Sequence, residues 1–201
     1  MQSLATYWDG GWDFSDETNN GLNNDWGLNP AENNGYPFLT LQGFTNQPFK
    51  GSGTGADPYQ ILSHADILIL SNVSSYWDKD FVQTADIDAS ETATWNAGSG
   101  FSPIGDATTQ FTGSYDGQGH TISKLFINRP ASTEIGFFGD AFGASITNVR
   151  LDSANVTGDF NVGALVGRLR SSSSVDSSSS SGSVSGTNNY VGGLVGYAIS
   201  S

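Results

Sequence analysis

The sequence predicts an all-β repeat fold, a β-solenoid of about 28 residues per repeat, on three observations. VGALVG at 162–167 returns one period later as VGGLVG at 191–196, and it occurs one period earlier in shortened form as IGFFG at 135–139. The phrases ahead of them return as well: NVTG at 155–158 and SVSG at 183–186 put Gly158 and Gly186 one period apart. Between these landmarks, apolar residues such as Ile146, Val149, Leu151 and Val156 alternate with small or polar ones in short runs broken by glycine, the pattern of strands and turns. A unit this short cannot bury a face alone. Stacked in parallel about 4.8 Å apart, such units share one continuous core. The inward set expected is Ile135, Val149, Val162, Leu165, Val166, Val191, Leu194 and Val195. A β-sandwich with accidental internal similarity is the competing architecture.

Composition fits a single packed domain with a short appendage. The 201 residues are 36% hydrophobic and include 26 glycines, so much of the apolar share is turn-former. Charged residues make up only 13%, and 20 acids against 7 Lys and Arg give a net charge of −13, which disfavours nucleic acid and anionic membrane as partners. Cysteine is absent, which removes disulfides, thiolate metal sites and cysteine nucleophiles together. No apolar stretch is long enough to span a membrane, and MQSLATY at the start lacks the basic and apolar regions of a signal peptide.

In chain order, residues 1–50 differ in kind from the rest. They carry 9 of the 24 aromatics and 6 acids, with Asn-Gly turns at Asn20-Gly21 and Asn34-Gly35. GSGTGADPY at 51–59 marks the boundary to a solenoid block over 51–201. Ser63 and Asp66 fit a capping box, predicting one short helix over 64–73 that caps the open end of the solenoid. The serine-rich run at 171–183 has the composition of a linker. A shift of about one period, however, sets Val175 and Val184 on Ile146 and Val156, which predicts an ordered rung. The C-terminal stretch Tyr190, Val191, Leu194, Val195 and Tyr197 is expected to be an open, assembly-competent end, since no polar or aromatic cap follows Gly196.

Five segments then carry a family resemblance: DPYQI at 57–61, YWDKDFVQTADID at 76–88, FSPIG at 101–105, YDGQGHTI at 115–122, and the VGALVG/VGGLVG phrases. In this order they resemble bacterial surface proteins with GLUG-motif repeats, a group that includes large adhesins and non-catalytic regions of secreted peptidases. The resemblance covers roughly residues 48–201 and implies a right-handed parallel β-helix on the cell surface. Residues 12–41, from WDF to NNGYPF, resemble the segment that closes such an array. A closing segment ahead of an opening block implies a cut across two consecutive domains.

Few residues invite a chemical reading. Asp86 and Asp88 flank Ile87 on a predicted strand, so both carboxylates face outward and could ligate Ca²⁺ with oxygens from a neighbouring rung. Asp13, Asp16 and Glu17 form a second Ca²⁺ candidate. Asp116 and His120 lie close in a D-G-x-G phrase, which reads as a structural turn because polysaccharide cleavage needs converging carboxylates, or a base with a cation. No zinc-peptidase, nucleophile-elbow or phosphate-loop motif occurs. Trp8, Trp12, Trp26, Tyr36 and Phe38 could offer flat faces to sugars or to an interface.

These readings converge on a non-enzymatic stalk or adhesion module of an extracellular surface protein, with no cofactor unless Ca²⁺ is bound and with the export signal outside this chain. Its expected partners are the remainder of a longer surface protein or further copies head to tail, together with host or surface glycans. The alternatives are a self-assembling filament subunit and a carbohydrate-binding or carbohydrate-active β-helix, either hydrolase or lyase.

Overall fold

The computed structural model describes residues 48–199 and one earlier strand pair, β1 (Trp26–Leu28) and β2 (Pro37–Leu39). The chain divides into two units, Met1–Pro48 and Phe49–Ser201. In the first, β1 and β2 pair antiparallel, with Trp26 opposite Leu39 and Leu28 opposite Pro37. Trp8, Trp12, Asp13, Asp16, Glu17 and Tyr36, and the side chains of Trp26 and Phe38, lie outside the described residues.

The second unit is all-β, and every pairing between its named strands is parallel. Strands β3 (Tyr59–Ile61), β4 (Asp80–Gln83), β6 (Ser114–Asp116), β11 (Ser145–Thr147) and β15 (Ser174–Asp176) form one sheet. Its inward column runs Tyr59, Phe81, Tyr115, Ile146, Val175. The first four are fully or almost fully buried. Along this column a short step, from Tyr59 to Phe81, is followed by a long one, from Phe81 to Tyr115, so the regular period settles in only from β6 onward.

A second sheet joins β5 (Ile87–Asp88), β7 (Thr121–Ser123), β12 (Arg150–Gly158) and β16 (Ser179–Gly186), with β8 (Phe126–Asn128) also on β12. Two three-stranded sheets carry the glycine phrases. One is β9 (Thr133–Ile135), β13 (Phe160–Gly163) and β17 (Val191–Gly192), and the other is β10 (Phe138–Phe142), β14 (Val166–Arg170) and β18 (Val195–Ile199). Ile135, Val162 and Val191 stack in register, as do Phe138, Val166 and Val195. The step from Ile135 to Val162 is shorter than that from Phe138 to Val166, because VGALVG has one residue more than IGFFG between its strands. The glycines are required by close approach. A Cβ on Gly163 would meet Val166 O at 2.3 Å, and one on Gly167 would meet the Ile135 N of the preceding layer at 2.5 Å.

Between β3 and β4 lies the one α-helix of the described residues, α1 (His64–Asn72). Ser63 is its N-cap, and the capping box with Asp66 is complete: the Asp66 N–H reaches Ser63 Oγ, and the Ser63 N–H donates to Asp66 Oδ2 at 2.9 Å. Ile67 and Leu70 are fully buried in the core. A 3-10 stretch, Ser90–Gly98, also intervenes between β5 and β6 and carried no sequence signal. Thr92 ties it down, its hydroxyl donating to Ala89 O at 2.6 Å and accepting the Phe126 N–H at 2.9 Å.

The serine-rich run is an ordered layer, β15 and β16, with Val175 on Ile146 and Val184 on Val156. Its hydroxyls have definite partners. Where the preceding layer turns a corner its N–H groups leave the ladder, and Ser173, Ser178 and Ser181 Oγ accept those of Ala144, Val149 and Ser153 at 2.9–3.0 Å. Ser180 takes the place below Leu151 and turns its hydroxyl to Gly193 O.

The inward assignment holds for Ile135, Val149, Val162, Leu165 and Val166, all at 0–2% exposure. It needs correction in the last layer. Val191 is 42% exposed, and Leu194 and Val195 are only half-buried against the core, because β15, β16, β17 and β18 are each the edge strand of their sheet among the described residues.

Candidate functional site

Two neighbouring features concentrate polar chemistry: a buried ion cluster and the cleft beside it. Asp140 on β10 is fully buried. Its register partner on β14 is Arg168, whose Nε and Nη2 donate to Asp140 Oδ2 at 3.2 and 2.5 Å. Arg170, further along β14, donates from Nε to Oδ1 at 3.0 Å and from Nη2 to Oδ2 at 2.8 Å, and its guanidinium lies 5.3 Å from the Phe142 ring centroid. Glu134 closes the cluster through Arg168 Nη1 at 3.3 Å, with Asn161 Nδ2 and the Thr133 hydroxyl donating to the same carboxylate. The hydrogen bonds to Asp140 raise the pKa of Arg168. Two arginines and two carboxylates balance in charge, and sequence reasoning missed them. A shift of one period from Asp140 would have found Arg168.

Glu134 also lines an open cleft of about 420 Å³ between the end of α1, residues 102–109 and the turn at 129–135. On one wall stands Arg129, half-buried. Its Nε donates to Phe101 O at 3.0 Å and its Nη2 to Ser102 Oγ at 2.9 Å. No carboxylate pairs with it among the described residues, whereas Lys79, Lys124, Arg168 and Arg170 each have one. Burial draws its pKa below the usual guanidinium value, though an arginine stays charged throughout the working pH range. Asp106 lines the cleft too, its Oδ1 held by the N–H groups of Thr108 and Thr109 at 2.7 and 2.8 Å. Trp77 presents little of its ring, being 6% exposed with Nε1 donating to Leu70 O at 2.7 Å. The cleft thus offers a fixed cation, a fixed carboxylate and a hydroxyl-rich rim, groups suited to hydrogen-bond recognition.

The residues singled out in the sequence fall elsewhere. Asp86 and Asp88 face outward around buried Ile87, as the strand pattern requires, but each is taken by a neighbouring layer. Asp86 Oδ1 accepts the Thr121 N–H at 2.8 Å and lies 3.2 Å from His120 Nδ1, and both contacts lower its pKa, the backbone donor most. Asp88 pairs with Lys124 at 3.0 Å and caps Ser90 N–H, which lowers its pKa likewise. No group of three or more His, Asp or Glu side chains converges on a metal-sized point among the described residues. Asp116 and His120 do not act together: Asp116 Oδ1 accepts from the Gln118 N–H and from Asn148 Nδ2, each at 2.9 Å, while His120 turns to Asp86. Tyr190 and Tyr197 form an aromatic row with Phe160, ring centroids 5.1 and 4.7 Å apart, and Tyr190 is 50% exposed.

No family model matches this chain. Over 154 residues it is 44% identical to Halomucin of Haloquadratum walsbyi, a match covering 74% of this chain and 2% of that protein. Over 127 residues it is 35% identical to a proposed Gly-rich membrane protein of Evansella cellulosilytica, covering 59% of this chain and 14% of the relative. The chain therefore spans a small part of the length of either relative. Among solved structures, a proposed immunoglobulin A1 protease from Bacteroides ovatus aligns with a TM-score of 0.39 at 18% identity, over 74% of this chain and 64% of that one, a likeness too low to carry an argument. Among the described residues no helix is long and apolar enough to cross a membrane.

Proposed function

We propose that the second unit is a right-handed parallel β-helix block of the GLUG-repeat kind, serving as a non-enzymatic stalk or adhesion module of a large surface protein. The observation that carries this is the register. All four sheets of the second unit continue from layer to layer at a nearly constant step through the last three layers, so stiffness comes from backbone ladders rather than from a closed globular core. The names of the two sequence relatives, a mucin-like term and a membrane protein, support a surface location, and the small share of each that is matched supports one block among many. An acidic, lysine-poor exterior keeps such a rod soluble. Antibody raised against this chain is expected to label intact cells of the source organism; labelling that appears only after lysis overturns the surface reading. Incubation with pectin, alginate and other uronate polymers is expected to give no new reducing ends or unsaturated products, and turnover would move the assignment to a carbohydrate-active β-helix.

A second reading is head-to-tail assembly with further copies, in which β15, β16, β17 and β18, edge strands among the described residues, would pair with the next copy. Rods that lengthen with concentration in electron micrographs of the 201-residue chain would favour it, and a monomer stable to dilution would remove it.

A further inference from the structure

We propose that the cleft between α1, residues 102–109 and the 129–135 turn binds a sugar residue bearing a carboxylate, with Arg129 taking the acid group. Three features of the wall select this chemistry. The Arg129 guanidinium commits Nε and one Nη2 hydrogen to Phe101 O and Ser102 Oγ, which fixes its plane and leaves Nη1 unbonded among the described residues. A held, half-desolvated guanidinium without a carboxylate partner is a ready receptor for one, since planar forked donors match a carboxylate. Opposite in character, Asp106 is locked by two backbone N–H groups through Oδ1, and its Oδ2 has no partner among the described residues, so it can accept a ring hydroxyl. The remaining rim supplies Ser132 and Thr109 hydroxyls, while Pro103 gives a small apolar face for ring C–H groups. A peptide side chain would need a deeper apolar recess, and a bare inorganic anion would leave the hydroxyls and Asp106 unused.

The chain's net negative charge does not veto an acidic ligand. At 0.15 M salt the Debye length is about 8 Å, so distant acids are screened while a contact with Arg129 is not. Glu134, the other cleft acid, is already neutralised by Arg168 and two neutral donors. This inference is independent of the stalk reading, because a cleft that binds nothing leaves the ladders untouched.

The test is calorimetric and NMR titration of the whole chain with tri-galacturonate and with its fully methyl-esterified form. The acid is expected to bind saturably, with shifts at the Arg129 side chain and the Thr109 and Thr133 amides. The ester is expected to bind roughly ten- to a hundred-fold more weakly, the ordinary effect of losing a charge-assisted contact. Arg129→Gln, verified folded by its circular dichroism, should lose affinity by the same factor. Arg129→Lys, which keeps charge without the fork, should lose several-fold and serves in its place if the glutamine variant does not fold. Absence of saturable binding up to roughly 10 mM acid, equal binding of acid and ester, undiminished binding by either folded variant, or shifts confined to other parts of the chain would each overturn the proposal.

Discussion

Replacing Asp140 by alanine tests whether the ion cluster holds β10 to β14. The carboxylate is fully buried and accepts four hydrogen bonds from two arginines of the next layer, so its removal strands two guanidinium groups at once. Breaking a buried pair by deleting one partner costs about 3–5 kcal/mol. The arginine side chains keep 22% and 27% exposure, and Glu134 still holds Arg168, so partial solvation reduces the expected loss to roughly 2–4 kcal/mol. For a unit of this size each kcal/mol moves the melting midpoint by about 2–4 °C, which gives a fall of roughly 5–15 °C. Differential scanning calorimetry of the parent and Asp140→Ala measures it, and the triple change Asp140→Leu, Arg168→Met, Arg170→Met separates pairing from burial. The triple variant is expected to recover part of the loss, because it removes the two stranded guanidinium groups and leaves only Glu134, still bonded by Asn161 Nδ2 and the Thr133 hydroxyl, without a counter-ion. A single variant melting within a couple of degrees of the parent would refute the argument, as would a triple variant melting below the single one.

Leu165 is fully buried at the heart of the glycine phrase, and Leu165→Asp, which buries a charge at a cost of several kcal/mol against a total of about 5–15, is expected to abolish the folding transition seen by circular dichroism. The triple change Ser173→Ala, Ser178→Ala, Ser181→Ala strips three corner N–H groups of their acceptors; amide exchange at Ala144, Val149 and Ser153 should quicken while exchange at Ile146 and Val156 holds, and uniform exchange would show the serines to be mere filler. Asp86 has a depressed folded pKa, so its contribution is complete above the ordinary carboxylate range and fades as pH falls through the lower folded value; Asp86→Asn should flatten the acid limb of the stability curve below about pH 4, with an unchanged limb counting against the Thr121 and His120 contacts.

What could be read from the sequence follows from what repeats. The phrases around Val162 and Val191 announce the ladders because a glycine whose Cβ would strike the next layer leaves a fixed mark at a fixed spacing, and Ser63 with Asp66 announces α1 through chemistry confined to a single helical turn. The early layers were harder to read, since a short step followed by a long one hides a period, and the 3-10 stretch at Ser90–Gly98 owes its place to Thr92 meeting the distant Phe126 N–H. The exposure of Val191 had no local sign: it depends on which strand stands beyond it, and its own residue type is the same as that of buried Val162. The cleft was illegible for a similar reason. Arg129, Asp106 and the end of α1 lie far apart in the sequence and line one cleft only in the folded chain.

The same logic accounts for where an acidic chain places its few cations. In a stacked repeat, stability is a sum of terms within layers and terms between them, and a side chain that reaches about one period along the sequence contributes to the second kind. Arg168 and Arg170 reach Asp140 across 28 and 30 residues, Arg129 reaches the Phe101 carbonyl across 28, Lys124 reaches Asp88 across 36 and His120 reaches Asp86 across 34. Four of the seven Lys and Arg residues, Lys124, Arg129, Arg168 and Arg170, thus tie one layer to the one before it, whereas Lys79 pairs with its sequence neighbour Asp78. From residue 173 onward, where no cation remains, hydroxyl and amide groups make the ties instead. Ser181 reaches Asp152, the Thr157 and Ser185 hydroxyls meet, and Thr187 and Asn188 close on Asp159, all across 28 or 29 residues. The Thr157–Ser185 tie is neutral on both sides, and the others run from uncharged donors to the Asp152 and Asp159 carboxylates, without the second desolvated charge of an ion pair. A run that looks like flexible linker by composition is, by its partners, an ordered layer bonded to the one before it across 28 or 29 residues.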